Sequence, residues 1–483
     1  MARGREQHIE HLLRRAAFGA SEEDVTRFAA MPYVAAVDRL LSFDRLPDDV
    51  DQQIGRPGYV GVTARAAGGF QPLANVDDAR QLWMFRMVHS QRPLQEKMAL
   101  FWHNHFATAY SKVSGTVGAT DATRMFIAKP GDVASGVIGQ IELFRQYALG
   151  NFRDLLVAVA KDPAMLVWLD GRLNVRGRPQ ENFARELMEL FTMGVGTFPE
   201  TDVYAGARVF TGWNLARPNN QYYTFSYVAG SHDIDAKEFS FPIYTNGSKV
   251  IPARSAAQGM QDGLDLIDAV ARHPATGPRL ARKLYNFFMN ETDAPDQALL
   301  QEVAKIYYDS GFEIKPMVFR LLTSAQFHED RNFYKRYSWP AEFVVRSLKE
   351  VGWNGFSVAN ALTPLINMGQ QLFEPPDVAG WELGPGWFST GGMLSRMNFA
   401  AQLALNQKFN LRDLARPIAQ TPESVLSFVL DRLTPSDFAP TAYNALLDYA
   451  RGGVNWTGSD DQVATKTSGL VHLVVGSGDY QFV

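Results

Sequence analysis

The sequence predicts a mostly α fold: a large single helical domain of many packed helices, with a small β-hairpin insertion and long Gly/Pro/Trp loops. Three observations predict it. Apolar residues recur at i, i+3, i+4 spacing along most of the chain, the signature of helices with one buried face. Residues 214–252 depart from that period into aromatic and β-branched alternation (QYYTFSYV, KEFSF), which reads as a hairpin excursion. Residues 45–75 and 373–392 are too rich in Gly, Pro and Asp or Trp to hold a regular element.

In chain order, Ile9, Leu12, Leu13, Ala16 and Ala17 give the first helical face, over 5–18, and Gly19 ends it. Ser21 followed by Asp24 is an acidic variant of the capping box and restarts a helix. Helical patterns resume at 76–91 and 93–109, with Pro93 suited to a first turn. Residues 138–163 read as two helices broken near Gly150, and a further helix runs from about 180 to 193, ending at Gly194 and Gly196. Thr197 and Glu200 suggest a capping box, with Pro199 in the first turn of a helix reaching about Trp213. Helices return at 257–272, 275–290, 295–310 and 315–325, and the tail from 393 reads as four or five more.

Composition narrows the function classes. Apolar residues make up 46% and charged residues 20%, the balance of a globular protein. A formal charge of −4 lacks the basic excess of a nucleic-acid binder. The short clusters Arg14–Arg15 and Arg172, Arg176, Arg178 read as solvated faces or helix ends. With no cysteine, thiolate metal sites, disulfides and cysteine nucleophiles are excluded, so any metal must be held by His, Asp, Glu or carbonyl oxygen. No apolar run is long enough for a transmembrane helix. The opening MARGREQHIEHLLRRAAFG has no apolar core and does not read as a secretory signal. The sequence holds no GxSxG elbow, Walker loop, HExxH or strand-linked GxGxxG.

Five stretches carry polar groups worth weighing. In FWHNHFATAY, His103 and His105 lie two apart, about 200° round a helix, so a regular helix turns only one toward any site. His105 shares the stripe of Met98, Phe101 and Trp102 and is expected to face inward, as a site residue or as a hydrogen-bonded core histidine. In PQENFARELMELFTMGVG, Glu181, Arg185 and Glu189 share one helical face, and Asn182 and Glu186 form a second polar stripe. This is either a solvent face laced with ion pairs or the wall of an acid–base cavity. Asp202 in DVYAGARVFTGW is explained by a helix N-terminus alone. GSHDIDAKEF packs His232, Asp233, Asp235 and Lys237 together, as a turn or as a metal or acid–base loop. PPDVAGWELGPGWF places Trp381 and Trp387 either against a sugar ring or over a core.

Length alone suggests about three domains. However, HLLRRAAFGAS, RPLQEKMALFWHNHFAT, WLDGRLNVRGRPQENFARELMELFTMGVG, PETDVYAGARVFTGW, the SHD loop, HPATGPRLARKLYNFF, MGQQLFEPPDVAGW and the terminal GLVHLVVGSGDYQFV together resemble the bacterial family catalogued as domain of unknown function 1800. The resemblance implies one continuous helical domain: a core over 1–410 and a helical segment over 411–483 packed on it. It implies emphasis on His105, Glu181, Asn182, Arg185, Glu186, Glu189, Asp202, Arg208, Trp213, His232, Asp233, Lys237, Asp377, Gly380 and Trp381. Gln180 stands where the family usually has Asn. Relatives are often exported and encoded beside an exported protein of alkaline-phosphatase-like descent, which implies a periplasmic or extracellular setting and a co-encoded partner.

Two functions follow as expectations. One is a hydrolase-like enzyme acting on a glycan or other extracytoplasmic polymer. Its catalytic candidates are Glu181, Glu186, Glu189, His105, Arg185 and Asp233. Trp213, Trp381, Trp387, Arg208 and Lys237 would bind substrate, and in a divalent-metal variant His105, His232 and Asp233 are the ligands. The other is a non-catalytic assembly partner of the co-encoded protein, its polar motifs forming a structural network.

Overall fold

The structure, a computed structural model, describes residues 4–65, 67–132, 136–433, 438–452 and 455–483. Among them are twenty-three α-helices and two small antiparallel sheets, as the periodicity predicts. β1 (Trp213–Ala216) pairs with β2 (Thr224–Tyr227), and β3 (Lys237–Glu238) with β4 (Val250–Ile251), so both sheets fall at the expected insertion. One apolar cluster runs from Ile9 to Tyr480. The chain end is stitched into it. Arg346 Nη1 donates to the carbonyls of Tyr480 and Phe482, Ser338 N to Gln481 O, and Val483 N to Arg336 O. Among the described residues no helix is long and apolar enough to cross a membrane.

The local signals hold in detail where they rest on capping chemistry. Ser21 Oγ accepts from the Asp24 N–H and the Ser21 N–H donates in return to the Asp24 carboxylate, and the first helix, Arg5–Ala16, ends before Gly19. Gly150 separates Gln140–Gln146 from Phe152–Lys161. Three elements differ from expectation. The helix beginning at Pro93 stops at His105, because Phe106 leaves helical geometry to enter the core. Thr197 does not cap the next helix: its hydroxyl donates to Gly194 O, and the helix runs Glu200–Val209 behind Pro199. That helix ends before Trp213, which opens β1. The expected 180–193 helix is α-helical only over Asn182–Glu186 and continues as a π-helix over Leu187–Thr192. Its wider turn closes through Met193 N to Met188 O at 2.8 Å.

Candidate functional site

The 93–105 helix ends on His103, Asn104 and His105, which point to two different places. His103 is buried; its Nε2 accepts from Phe373 N at 3.2 Å, and burial pushes its pKa down to about 3. Asn104 Oδ1 accepts from Trp381 N at 2.7 Å. Both therefore pin the 373–392 loop. Gly380 allows that contact, since at φ +91° a β-carbon there would meet Asn104 Oδ1 at 2.3 Å. His105 faces the other way. Its Nε2 lies 3.0 Å from Phe191 O, and because a carbonyl only accepts, this nitrogen carries the proton. Nδ1 is then the acceptor, and Lys283 Nζ donates to it at 2.9 Å. Burial first, then the Lys283 and Arg279 charges, hold His105 well below its usual pKa, so the ring is neutral. Both ring nitrogens are occupied, and His105 acts by positioning Lys283.

The π-helix organises this junction. Carbonyls in a last helical turn have no intrahelical donor. Here Leu190 O accepts from Arg279 Nη2 at 3.1 Å and Phe191 O from His105. Arg279 and Lys283 sit i, i+4 on the Thr276–Phe288 helix. Burial, and then Arg279, lowers Lys283 to about 7. On the same π-helix region Glu186 and Glu189 are partly buried neighbours. Burial, then the Glu189 charge, raises Glu186 to about 7. Burial lowers the Arg279 pKa, and the Glu189 charge offsets part of that. Glu181 and Arg185 lie on the exposed side instead. Arg185 donates to Glu200 at 2.9 and 2.7 Å and to Glu181 at 3.3 Å, a surface triad of small energetic weight.

The SHD loop belongs to a separate, closed network. Arg208 grips Asp233 bidentately at 2.9 and 3.0 Å. Burial raises the Asp233 pKa, but these bonds and the Asp235 N–H outweigh it and hold it below its usual value. Lys237 Nζ donates to Asp233 O and, at 2.6 Å, to Asp262 Oδ2. Asp262 also accepts from Arg254 and lies 3.3 Å from His232 Nε2, while His232 Nδ1 faces Thr211 O at 2.9 Å. Gly259 makes room for this, because a β-carbon there would overlap the His232 ring. Asp202 accepts from Ser240 N at 2.9 Å, tying its helix to the hairpin region. Asp377 accepts from Ala379 N at 2.8 Å and shapes the turn at Gly380.

Of the residues expected from sequence, the structure brings His105, Glu186 and Glu189 to one junction. His232, Asp233, Lys237 and Arg208 lie in the other network. Trp213, Trp381 and Trp387 are all buried, packed respectively on Phe210 and Phe225, on His103, and on Trp339. Their faces are taken by the core, so none offers a stacking platform. Among the described residues no group of three or more His, Asp or Glu side chains is placed to hold a metal ion. Sequence reasoning missed Arg279, Lys283 and Asp262. The i, i+4 spacing of Arg279 and Lys283 was a usable signal. Asp262 had none, since its partners come from other segments.

The architecture is that of a mostly α protein with two inserted hairpins, its candidate residues divided between two of its polar clusters. The chain belongs to the family described as "Protein of unknown function (DUF1800)", whose model matches residues 11–482. No curated protein and no solved structure matches it.

Proposed function

We propose that this protein is a hydrolase-like enzyme whose proton chemistry is run by Glu186 and Glu189. The observation that carries this reading is a pair of neighbouring carboxyls on a part-open face, one of which burial and the other's charge hold protonated toward neutral pH. Glu186 keeps its proton up to about 7, while Glu189 lies near the Arg279 guanidinium. A carboxyl that keeps its proton toward neutral pH can serve as a general acid beside a second carboxyl. Glu186 would donate to a leaving group and Glu189 would act as base or nucleophile. The π-helix that carries Glu189 adds support, since such turns recur at functional sites. A polymer substrate was expected from tryptophan stacking; with the tryptophans buried, the proposal stops at the class of reaction. The divalent-metal variant gains no support, because His105, His232 and Asp233 have protein partners in two different places.

The test is a carboxyl carbon-13 NMR titration alongside a panel of chromogenic esters, glycosides and phosphodiesters. One glutamate titrating near 7 and lost in Glu186→Gln, with turnover lost in Glu186→Gln and Glu189→Gln at unchanged melting temperature, supports the reading. Collapse of folding in both variants sinks it. The second reading, an exported assembly partner of a co-encoded alkaline-phosphatase-like protein, is favoured by one observation: the Asp233 and Asp262 clusters are closed on themselves, as a structural network requires. Co-purification with that protein would test it.

A further inference from the structure

Beside the His105 junction lies a cavity of about 60 Å³, with Lys283 on its wall. One water needs about 10–15 Å³ of such space, so the cavity has room for a ligand of about four to six heavy atoms. Among the described residues Lys283 has no carboxylate partner. Its hydrogen bond goes to His105 Nδ1, a neutral acceptor fixed by the Phe191 carbonyl. A largely buried lysine without an ion-pair partner is costly as an ammonium, and its uncharged amine is a nucleophile. The aromatic walls, Phe287 and Trp339, keep the site apolar. At its floor is Arg336, fully buried. Nη1 is bound to Glu342 at 2.7 Å, and Nε and Nη2 are without partners. That edge has no surface open to the cavity, so what Arg336 contributes is a positive charge behind the Phe287 and Trp339 rings, 4.7 and 5.4 Å from their centres, which favours a carboxylate inside. Asn104, its Oδ1 held by Trp381, has its Nδ2 left to donate toward a ligand.

We propose that this cavity binds a small 2-oxo acid and that Lys283 forms an imine with its carbonyl carbon. This goes beyond the carboxylate reading and does not depend on it. The Lys283 Nζ lone pair adds to the carbonyl carbon, and the C=O π electrons move to oxygen, which takes a proton. The nitrogen then loses a proton. Glu291 lines the cavity, and its burial raises its pKa so that it carries a proton longer than a free carboxyl. A proton from Glu291 or from water goes to the departing hydroxyl, which leaves as water as the C=N bond forms, and the iminium nitrogen then returns a proton to solvent. Amine and 2-oxo acid become imine and water, with no change of oxidation state. His105 is a positioning residue in this step.

The test incubates the full chain with glyoxylate and sodium cyanoborohydride, then maps the reduced adduct by peptide mass spectrometry. The expected result is one adduct, on the peptide bearing Lys283, ahead of any surface lysine. Its rate rises with pH through about 7, where surface lysines wait until about 10. Lys283→Arg loses that adduct. Acetaldehyde, which lacks the carboxylate, labels Lys283 more slowly than glyoxylate. Adducts scattered over surface lysines without preference for Lys283 in the wild-type chain overturn the proposal, whether or not the variant folds. Equal labelling by acetaldehyde overturns the assignment to 2-oxo acids.

Discussion

Asp262→Asn is the substitution that most directly separates a structural cluster from a catalytic one. Asp262 and Lys237 are both 0% exposed and meet at 2.6 Å, with Arg254 and His232 on the remaining oxygen edges. Burial raises the Asp262 pKa, but the hydrogen bonds from His232, Lys237 and Arg254 outweigh it, and the net shift is downward. The amide keeps the shape and removes the charge, which strands the Lys237 ammonium in the core. Removing one partner of a buried pair costs about 3–5 kcal/mol. The unfolding entropy of a 483-residue chain is about 1 kcal/mol/K, so the melting midpoint should fall by about 3–5 °C. The sign with pH follows from the depressed carboxyl. Its stabilisation is present above the unfolded value near 3.9 and is lost as pH falls through the folded value. The variant should therefore trail the wild type most at neutral pH and converge with it in acid. Differential scanning calorimetry from pH 3 to 8 measures this, with the exposed neighbour Asp235→Asn as a control expected to move little. A midpoint for Asp262→Asn within about 1 °C of wild type at pH 7 would show that the network does not stabilise the fold.

Three further outcomes follow from the same contacts. Gly380→Ala forces a β-carbon onto Asn104 at a positive φ, so it should destabilise by about 2 kcal/mol or more, and limited proteolysis should cut first within 373–392. Arg208→Lys loses the bidentate grip on Asp233; because both groups are partly exposed, the cost should be about 1 kcal/mol, read by urea denaturation. Lys283 has a lowered pKa in the folded chain, so the unfolded chain binds more protons between about 7 and 10.4, and stability should rise with pH across that window. Lys283→Met should flatten that rise and be the more stable protein at neutral pH; a parallel pair of stability curves would refute the assignment.

Local chemistry made most of the architecture legible before any coordinates. The apolar period placed the helices, and Ser21 with Asp24 marked a start because a capping box is satisfied within four residues. The 200° rule separated His103 from His105, and the structure puts them on opposite duties: one pins a loop, the other a lysine. Glu186 and Glu189 were visible as a crowded polar stripe. What spacing did not convey was the π turn, since the LMELFT residues fit an α-helix equally well and the widening answers to Arg279 and His105 at its end.

The sequence by itself determined the elements whose signals are short-range: helix spans, caps, the β insertion, the irregular loops, and the absence of thiol chemistry. Only the tertiary structure decided what each polar group is for. Lys283 meets His105 across 178 positions and Asp262 meets His232 across 30, separations at which no periodicity relates two side chains. Only packing decided the tryptophans too. A Trp in a Gly/Pro loop is equally suited to a ligand or a core, and the choice falls to whichever surface buries its rings, here Phe210, His103 and Trp339.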